Sequence, residues 1–263
     1  MIQPYAQGKR WTLYEGDVLR VLPELREAGL QVDGVITDPP YSSGGQFRGD
    51  RATDPRQKYL QSGSPQAAYL PTFSGDNRDQ RSLERWCMEW ASDCLALSRE
   101  GAVLACSIDW RGVGSLLDAL QGGGWVLRGL APWIKPDARP QLGRLTQAAE
   151  FVIWGSAGGL DDRQRAVLGA VPGYLLSVAP RNREHVTQKP NSWGDWLCKL
   201  VTGGGTVLDP FAGSGVVGEA ALRSGRCFVG CEIQAEYLRI AARRLAQAEL
   251  DGQPQPLFVA GAP

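Results

Sequence analysis

Val32-Asp33-Gly34-Val35-Ile36-Thr37-Asp38-Pro39-Pro40-Tyr41 is an apolar run of strand type that stops on an acid, two prolines and an aromatic. Val35 and Ile36 favour a buried strand. Pro39 and Pro40 carry no backbone N–H and fix their φ, so a strand must end there. Asp38 and Tyr41 are thereby held on a stiff loop at the strand's C-terminal end, the edge along which ligands bind in open α/β sheets. The loop offers a carboxylate, main-chain carbonyls with no N–H beside them, and a flat ring. A planar group with an exocyclic amine suits this set. Its amine donates to Asp38 and to the Pro39 carbonyl while its ring lies on Tyr41. The plain alternative is a strand-ending turn with a surface tyrosine. Asp-Pro-Pro alone favours that alternative; Tyr41 and a second motif far downstream favour the functional reading.

Upstream, Trp11-Thr12-Leu13-Tyr14 reads as a short strand, and Asp17 after Glu15-Gly16 is placed to cap a helix through Leu19, Leu22 and Leu25. Downstream, residues 42–81 lack regular apolar positions and contain Gly44-Gly45, Ser62-Gly63-Ser64-Pro65 and Ser74-Gly75-Asp76-Asn77. A loop of that length in a compact domain is usually functional or disordered. Beyond it, Ser82 opens a helix carrying Leu83, Trp86, Trp90, Leu95 and Leu97, and a buried strand covers Ala102 to Cys106. A helix with Val113, Leu116, Leu117 and Leu120 stops at Gly122-Gly123-Gly124. Strands follow at Trp125 to Leu130, Trp133-Ile134 and Phe151 to Trp154, with a polar, basic stretch from Lys135 to Gln147 between the last two. A helix from about Ser192 to Val201 leads into the strand Thr206-Val207-Leu208-Asp209.

Residues 206–232 form a strand, a glycine turn, a helix to Arg223, a strand from Cys227 to Cys231 and an acid, Glu232. Gly213, Gly215 and Gly218 match G-x-G-x-x-G, and Glu232 stands near the usual distance for an acid on a ribose. Such a unit binds an adenosine-containing molecule, and on this segment alone a dinucleotide enzyme is a live option. An ordinary βαβ turn is the plain alternative. Asp209-Pro210-Phe211 shifts the balance. An acid immediately before the glycines repels a pyrophosphate but suits the ammonium of a methionine-like tail, which favours S-adenosylmethionine over NAD. A long helix from about Ala235 to Glu249 closes the pattern, and the tail from Asp251 is polar.

Composition bounds these readings. The 263 residues suffice for one large core, and the hydrophobic and charged shares, 43% and 21%, are those of a soluble globular protein. Lys+Arg and Asp+Glu both number 28, so any polyanion partner must be met by a local basic face. The six cysteines form no C-x-x-C pair and there is one histidine, so no metal site is expected. Reduced thiols and the lack of a signal peptide or membrane-length apolar run point to a cytoplasmic protein. Nine tryptophans are many; in a core their N–H groups need partners.

Asp38-Pro39-Pro40-Tyr41 followed far downstream by Phe211-Ala212-Gly213-Ser214-Gly215 resembles the amino-methylating DNA methyltransferases, in the motif order of their β class. His185-Val186-Thr187-Gln188-Lys189-Pro190, Glu15-Gly16-Asp17 and Glu150-Phe151-Val152-Ile153-Trp154 are similar to further segments of that class, although the histidine often found before that glutamate is Ala149 here. The resemblance runs from about Trp11 to Leu245. It implies a Rossmann-like class I methyltransferase fold, α/β, with a seven-stranded, mostly parallel sheet, one antiparallel strand and helices on both faces. The motif order is circularly permuted. The strand and helix alternation agrees.

The resemblance further implies S-adenosylmethionine as cofactor, double-stranded DNA as partner and a target nucleotide flipped into the pocket. Asp38, Pro39, Pro40 and Tyr41 are then the catalytic set, with no covalent intermediate. Aspartate at position 38 leans toward adenine N6, since relatives acting on cytosine N4 more often carry serine there. Asp17 is expected near the cofactor adenine and Glu232 on its ribose. Asp209, Phe211, Ala212, Gly213, Ser214 and Gly215 surround its methionine part, and Thr187, Lys189 and Asp38, which is thus both catalytic and cofactor-binding, contact the cofactor side of the pocket. The whole chain is read as one catalytic domain with a loop insert at 42–81 and a short target-recognition region at about 155–184. The loop or a second subunit, in a homodimer, would supplement so short a reader, which would make dimerisation more useful. Arg48, Arg139, Arg144, Arg163, Arg181 and Arg183 are the candidates for DNA contacts.

Overall fold

The computed structural model describes residues 2–42, 54, 75–140, 142–160, 162, 165, 166, 169–180 and 187–252. The strands are β1 (Ala6–Gln7), β2 (Trp11–Glu15), β3 (Val32–Thr37), β4 (Ser98–Ile108), β5 (Val126–Ile134), β6 (Ala149–Ser156), β7 (Leu175–Leu176), β8 (Thr206–Asp209) and β9 (Cys227–Glu232). The helices are α1 (Val18–Glu27), α2 (Gln80–Leu97), α3 (Val113–Gly122), α4 (Asn191–Cys198), α5 (Val216–Arg223) and α6 (Ala235–Asp251). All strands join one sheet in the order β1-β2-β9-β8-β3-β4-β6-β5-β7.

The expected seven-stranded sheet is the body of this one, from β2 to β5, and within it only β6 runs antiparallel. The two additional strands, β1 and β7, are two residues long and cap the edges. Strands that short leave no periodicity to read in a sequence.

Alternation along the central strands builds both layers. Val35, Leu104, Leu208 and Val229 point into one apolar cluster with α1, α2 and α3. Their neighbours Ile36, Ala105, Val207 and Phe228 point into the other, with α4, α5 and α6. A sheet covered on both faces needs strands that are apolar throughout, which is how these read. Asp17 caps α1 by accepting from Leu19 N at 2.9 Å. Helix α2 starts two residues before the expected Ser82, because Asp79 accepts from Arg81 N and Ser82 N. Strand β5 is continuous where two pieces were expected; Pro132 is accommodated within its pairing to Phe151.

The far end of the 42–81 segment is pinned to its start. Ser42 N donates to Asp76 Oδ1 at 2.7 Å and Arg78 N to Ser42 Oγ at 3.2 Å. All six cysteines are free thiols. Among the described residues no helix is long and apolar enough to cross a membrane, and no cluster of His, Cys, Asp and Glu could hold a metal ion.

Candidate active site

Strands β9, β8 and β3 are parallel neighbours, so the loops at their C-terminal ends emerge on one edge. That adjacency brings Asp38 to Tyr41, Asp209 to Ser214, and Glu232 together around one cavity of about 350 Å³. The volume lies within the range of ligand pockets. Thr37 Oγ1 donates to Asp209 Oδ1 at 2.8 Å, tying the ends of β3 and β8 directly. Asp17, Thr187 and Lys189 also face the cavity.

On one side of the cavity the groups are acidic and backbone-held. Glu232 Oε2 accepts from Gly213 N and Oε1 from Gln234 N, both at 2.9 Å. Asp17 is brought beside it because Gly16 N donates to the Glu232 carbonyl at 3.0 Å. Asp209 is buried and also accepts from Phe211 N at 3.0 Å. Burial pushes its carboxyl up to about 7 against the pull of the Thr37 and Phe211 hydrogen bonds. Burial raises Glu232 as well. The Phe211 ring is committed to α2, its centroid 5.2 Å from that of Trp86 and 5.4 Å from that of Trp90.

The cavity also holds a half-buried ionic network around the buried Lys189. Tyr41 OH donates to Asp38 Oδ1 at 2.6 Å, and Glu150 Oε2 stands 3.0 Å from the same hydroxyl. Lys189 Nζ is 2.6 Å from Asp38 Oδ2 and 3.2 Å from Glu150 Oε2. Lys135 pairs with Glu150 Oε1. Lys189 also sits over the Tyr41 ring, 5.0 Å from its centroid, so one ring face is taken.

The electrostatics follow from this packing. Burial and the two carboxylates hold the Tyr41 phenol protonated, with its pKa well above the ordinary value. Burial raises Asp38, only partly offset by Lys189. Burial alone would depress Lys189, but Asp38 and Glu150 outweigh it and keep the ammonium charged. Burial also opposes ionisation of Glu150, yet Lys189 and Lys135 overcome it and hold that carboxyl at about 2.

Most residues expected at the site are there: Asp17, Asp38, Pro39, Pro40, Tyr41, Thr187, Lys189, Asp209, Phe211, Ala212, Gly213, Ser214 and Glu232 all line the cavity. Gly215 does not. Its φ of +83° starts α5, and a Cβ there would stand 3.1 Å from Ala241 Cα, so it serves the turn and the packing of α6. Lys189 lies against Asp38 and Glu150. Arg139 and Arg144 are exposed in the connection between β5 and β6, outside the cavity lining. Arg48, Arg163, Arg181 and Arg183 lie outside the described residues.

Sequence reasoning missed Glu150, Lys135, Trp110 and Arg111 as cavity residues. The signal for the first two was present, a charge at each boundary of two strands. Using it required knowing that β6 runs antiparallel, which puts its first residues at the edge where the other strands end.

Residues 32–243 match the family model for DNA methylase. Type II methyltransferase M.Cfr9I of Citrobacter freundii is 28% identical over a 270-residue alignment covering 89% of this chain and 87% of the relative. Among solved structures, the M1.HpyAVI–SAM complex superposes with a TM-score of 0.66 at 22% identity, covering 89% of this chain and 98% of that one. The PvuII DNA methyltransferase, cytosine-N4-specific, reaches a TM-score of 0.66 at 16% identity over 96% of each chain.

Proposed function

The chain belongs to the amino-methylating DNA methylase family, and from that premise we propose that it methylates the N6 amine of an adenine extruded from duplex DNA, with S-adenosylmethionine as donor. The observation that carries the reading is the meeting of the Asp38–Tyr41 loop and the Asp209–Ser214 loop across a single cavity.

The acidic side fits the cofactor. Glu232 keeps lone pairs for ribose hydroxyls after accepting its two backbone donors. Asp209, a buried carboxyl with its proton affinity raised, suits an ammonium. Gly213, with φ +50°, lets the backbone approach a ligand closely. Asp17 is placed for the adenine end. When bound, S-adenosylmethionine supplies an electrophilic methyl group.

The protein's own residues do the rest. Asp38 and the Pro39 carbonyl accept the N–H groups of the substrate amine and fix the direction of its lone pair. That pair is conjugated into the base, so localising and aligning it is the main catalytic task. The Tyr41 face not covered by Lys189 supports the base. Asp38, its carboxyl raised by burial, is suited to take the proton the amine sheds.

Cytosine N4 is the second reading, favoured by the likeness to the PvuII enzyme; the same geometry serves either amine, and Asp38 tilts the choice to adenine. For DNA contacts the described candidates are Arg139 and Arg144. A second copy of the chain would extend the reading surface. Tyr174, Leu176 and Val178, exposed around the edge strand β7, offer it an apolar seat.

The test is incubation with methyl-labelled S-adenosylmethionine and mixed-sequence duplex DNA, followed by digestion to nucleosides. Label in N6-methyladenine is the expected result. Label in N4-methylcytosine selects the second reading, and no label in DNA overturns both. Asp38→Ala should retain cofactor binding and lose about a hundredfold or more in rate, the scale of removing one preorganised polar group at the reacting centre.

A further inference from the structure

Two carboxylates compete for the single hydroxyl proton of Tyr41. Asp38 Oδ1 is nearer at 2.6 Å, and Glu150 Oε2 waits at 3.0 Å. The Lys189 ammonium is divided the same way, 2.6 Å from Asp38 Oδ2 and 3.2 Å from Glu150 Oε2. Each oxygen of Asp38 therefore already has a strong donor. A substrate amine arriving at Asp38 meets a carboxylate whose electron density is shared out. Glu150 stands second in line for both donors. It is itself fixed, because Lys135 holds its other oxygen.

We infer that Glu150 is a positioning residue, receiving the Tyr41 hydroxyl and the Lys189 ammonium as the substrate amine replaces them on Asp38. The inference rests on the proposed amine methylation at Asp38. Rotation of one O–H bond and a small shift of one ammonium accomplish the exchange. No charge enters or leaves, since the amine is neutral and two lysines face two carboxylates before and after. Without Glu150, each donor leaving Asp38 would be left buried without an acceptor, which is costly. The groups that bear on this cluster are Asp38 and Tyr41 after β3, Lys135 after β5, Glu150 in β6 and Lys189 before α4. The Asp109–Arg111 ion pair after β4, with Asp17, Asp76, Arg78, Asp209 and Glu232, completes the lining charges.

Glu150→Gln keeps the volume and removes the charge. The expected result is a fall of about ten- to a hundredfold in single-turnover methylation, with cofactor affinity unchanged within about twofold because the partners of Glu150 are Tyr41, Lys135 and Lys189 and not Asp209 or Glu232. A merely structural role would scale the rate at every pH alike. Here the alkaline limb of the pH–rate profile should move to lower pH, because Lys189 loses one of the two carboxylates that keep it charged. Lys135→Met is the second variant, and carries the test should Glu150→Gln not fold. It should also lower the single-turnover rate, because Glu150 loses the cation that fixes its other oxygen. A Glu150→Gln rate within about twofold of the parent, an alkaline limb that stays in place in that variant, or a Lys135→Met rate equal to the parent's, overturns the inference while leaving the methyltransferase reading intact. A parent protein that labels no DNA overturns both.

Discussion

Asp209 is the residue at which chemistry and pH meet. It is 2% exposed, hydrogen-bonded to Thr37 and Phe211, and burial brings its carboxyl to about 7. The sign follows from linkage. The folded protein holds this proton up to about pH 7 while the unfolded chain loses it near pH 4. Between those values Asp209 contributes less stability as pH rises. A bound ammonium reverses the preference, because it draws the carboxyl into its charged form. Cofactor affinity should therefore rise with pH and level off above about 7, being about tenfold weaker at pH 6 than at pH 8. Calorimetric titration at the two values checks this, and Asp209→Asn should flatten the dependence. Equal affinities in the parent protein would exclude an ammonium at Asp209. Residues of this kind were readable in the chain because each sits at the end of an apolar run beside prolines or glycines. Glu150 was not, because its place depends on the antiparallel direction of β6, and Lys135, just past the end of β5, was not, because the acid it pairs with comes from that strand.

Helix α5 shows how an element is positioned by what it lacks. A Cβ on Gly218 would stand 2.5 Å from Leu245 Cδ2 and 2.7 Å from the Phe228 ring, so the bare backbone is what lets α5 lie this close to β9 and α6. The third glycine of the G-x-G-x-x-G pattern thus works in packing, as the pattern's physics requires. Gly218→Ala gains about 1 kcal/mol in helix propensity but overfills a packed interior, at about 1–3 kcal/mol. The net expectation is a lower melting temperature, with each kcal/mol worth about 2–4 °C at this size. A melting temperature at or above the parent's would mean that Phe228 and Leu245 can yield. Elements with strong periodicity, such as α1, α6 and the paired strands β3 and β8, were legible within a residue or two. What escaped was set by other things: Asp79 capping α2 early, β5 continuing through Pro132, and two edge strands of two residues each. The tryptophans divide similarly. Trp125, Trp133 and Trp196 donate to main-chain carbonyls as expected, while the buried indole N–H of Trp11 and of Trp193 has no partner among the described residues.

At the scale of the molecule, the formal net charge is zero, so attraction to a polyanion must come from a patch. The connection between β5 and β6 is placed to supply one. Its two ends, Lys135 and Gln147, line the cavity, and Trp110 Nε1 donates to Gln147 Oε1 at 3.0 Å. Between them Arg139 and Arg144 are exposed, and so are Leu142 and Leu145, at 102% and 91%. Two arginines and two unpacked leucines on a connection whose ends line the cavity have complementary uses. Arginines there suit phosphates, whose counterions they would release, and leucines suit the stack that an extruded base would leave behind. These contributions separate experimentally, because only the first depends on salt. Arg139→Ala with Arg144→Ala should reduce the slope of log affinity for duplex DNA against log salt by about two, close to 0.9 per phosphate contact. Leu142→Ser with Leu145→Ser should weaken binding at every salt concentration and leave the slope in place. Cofactor affinity should be untouched in either pair, since none of the four residues lines the cavity. An unchanged slope in the arginine pair would remove this connection from the DNA interface and leave the electrostatic contacts to residues outside it.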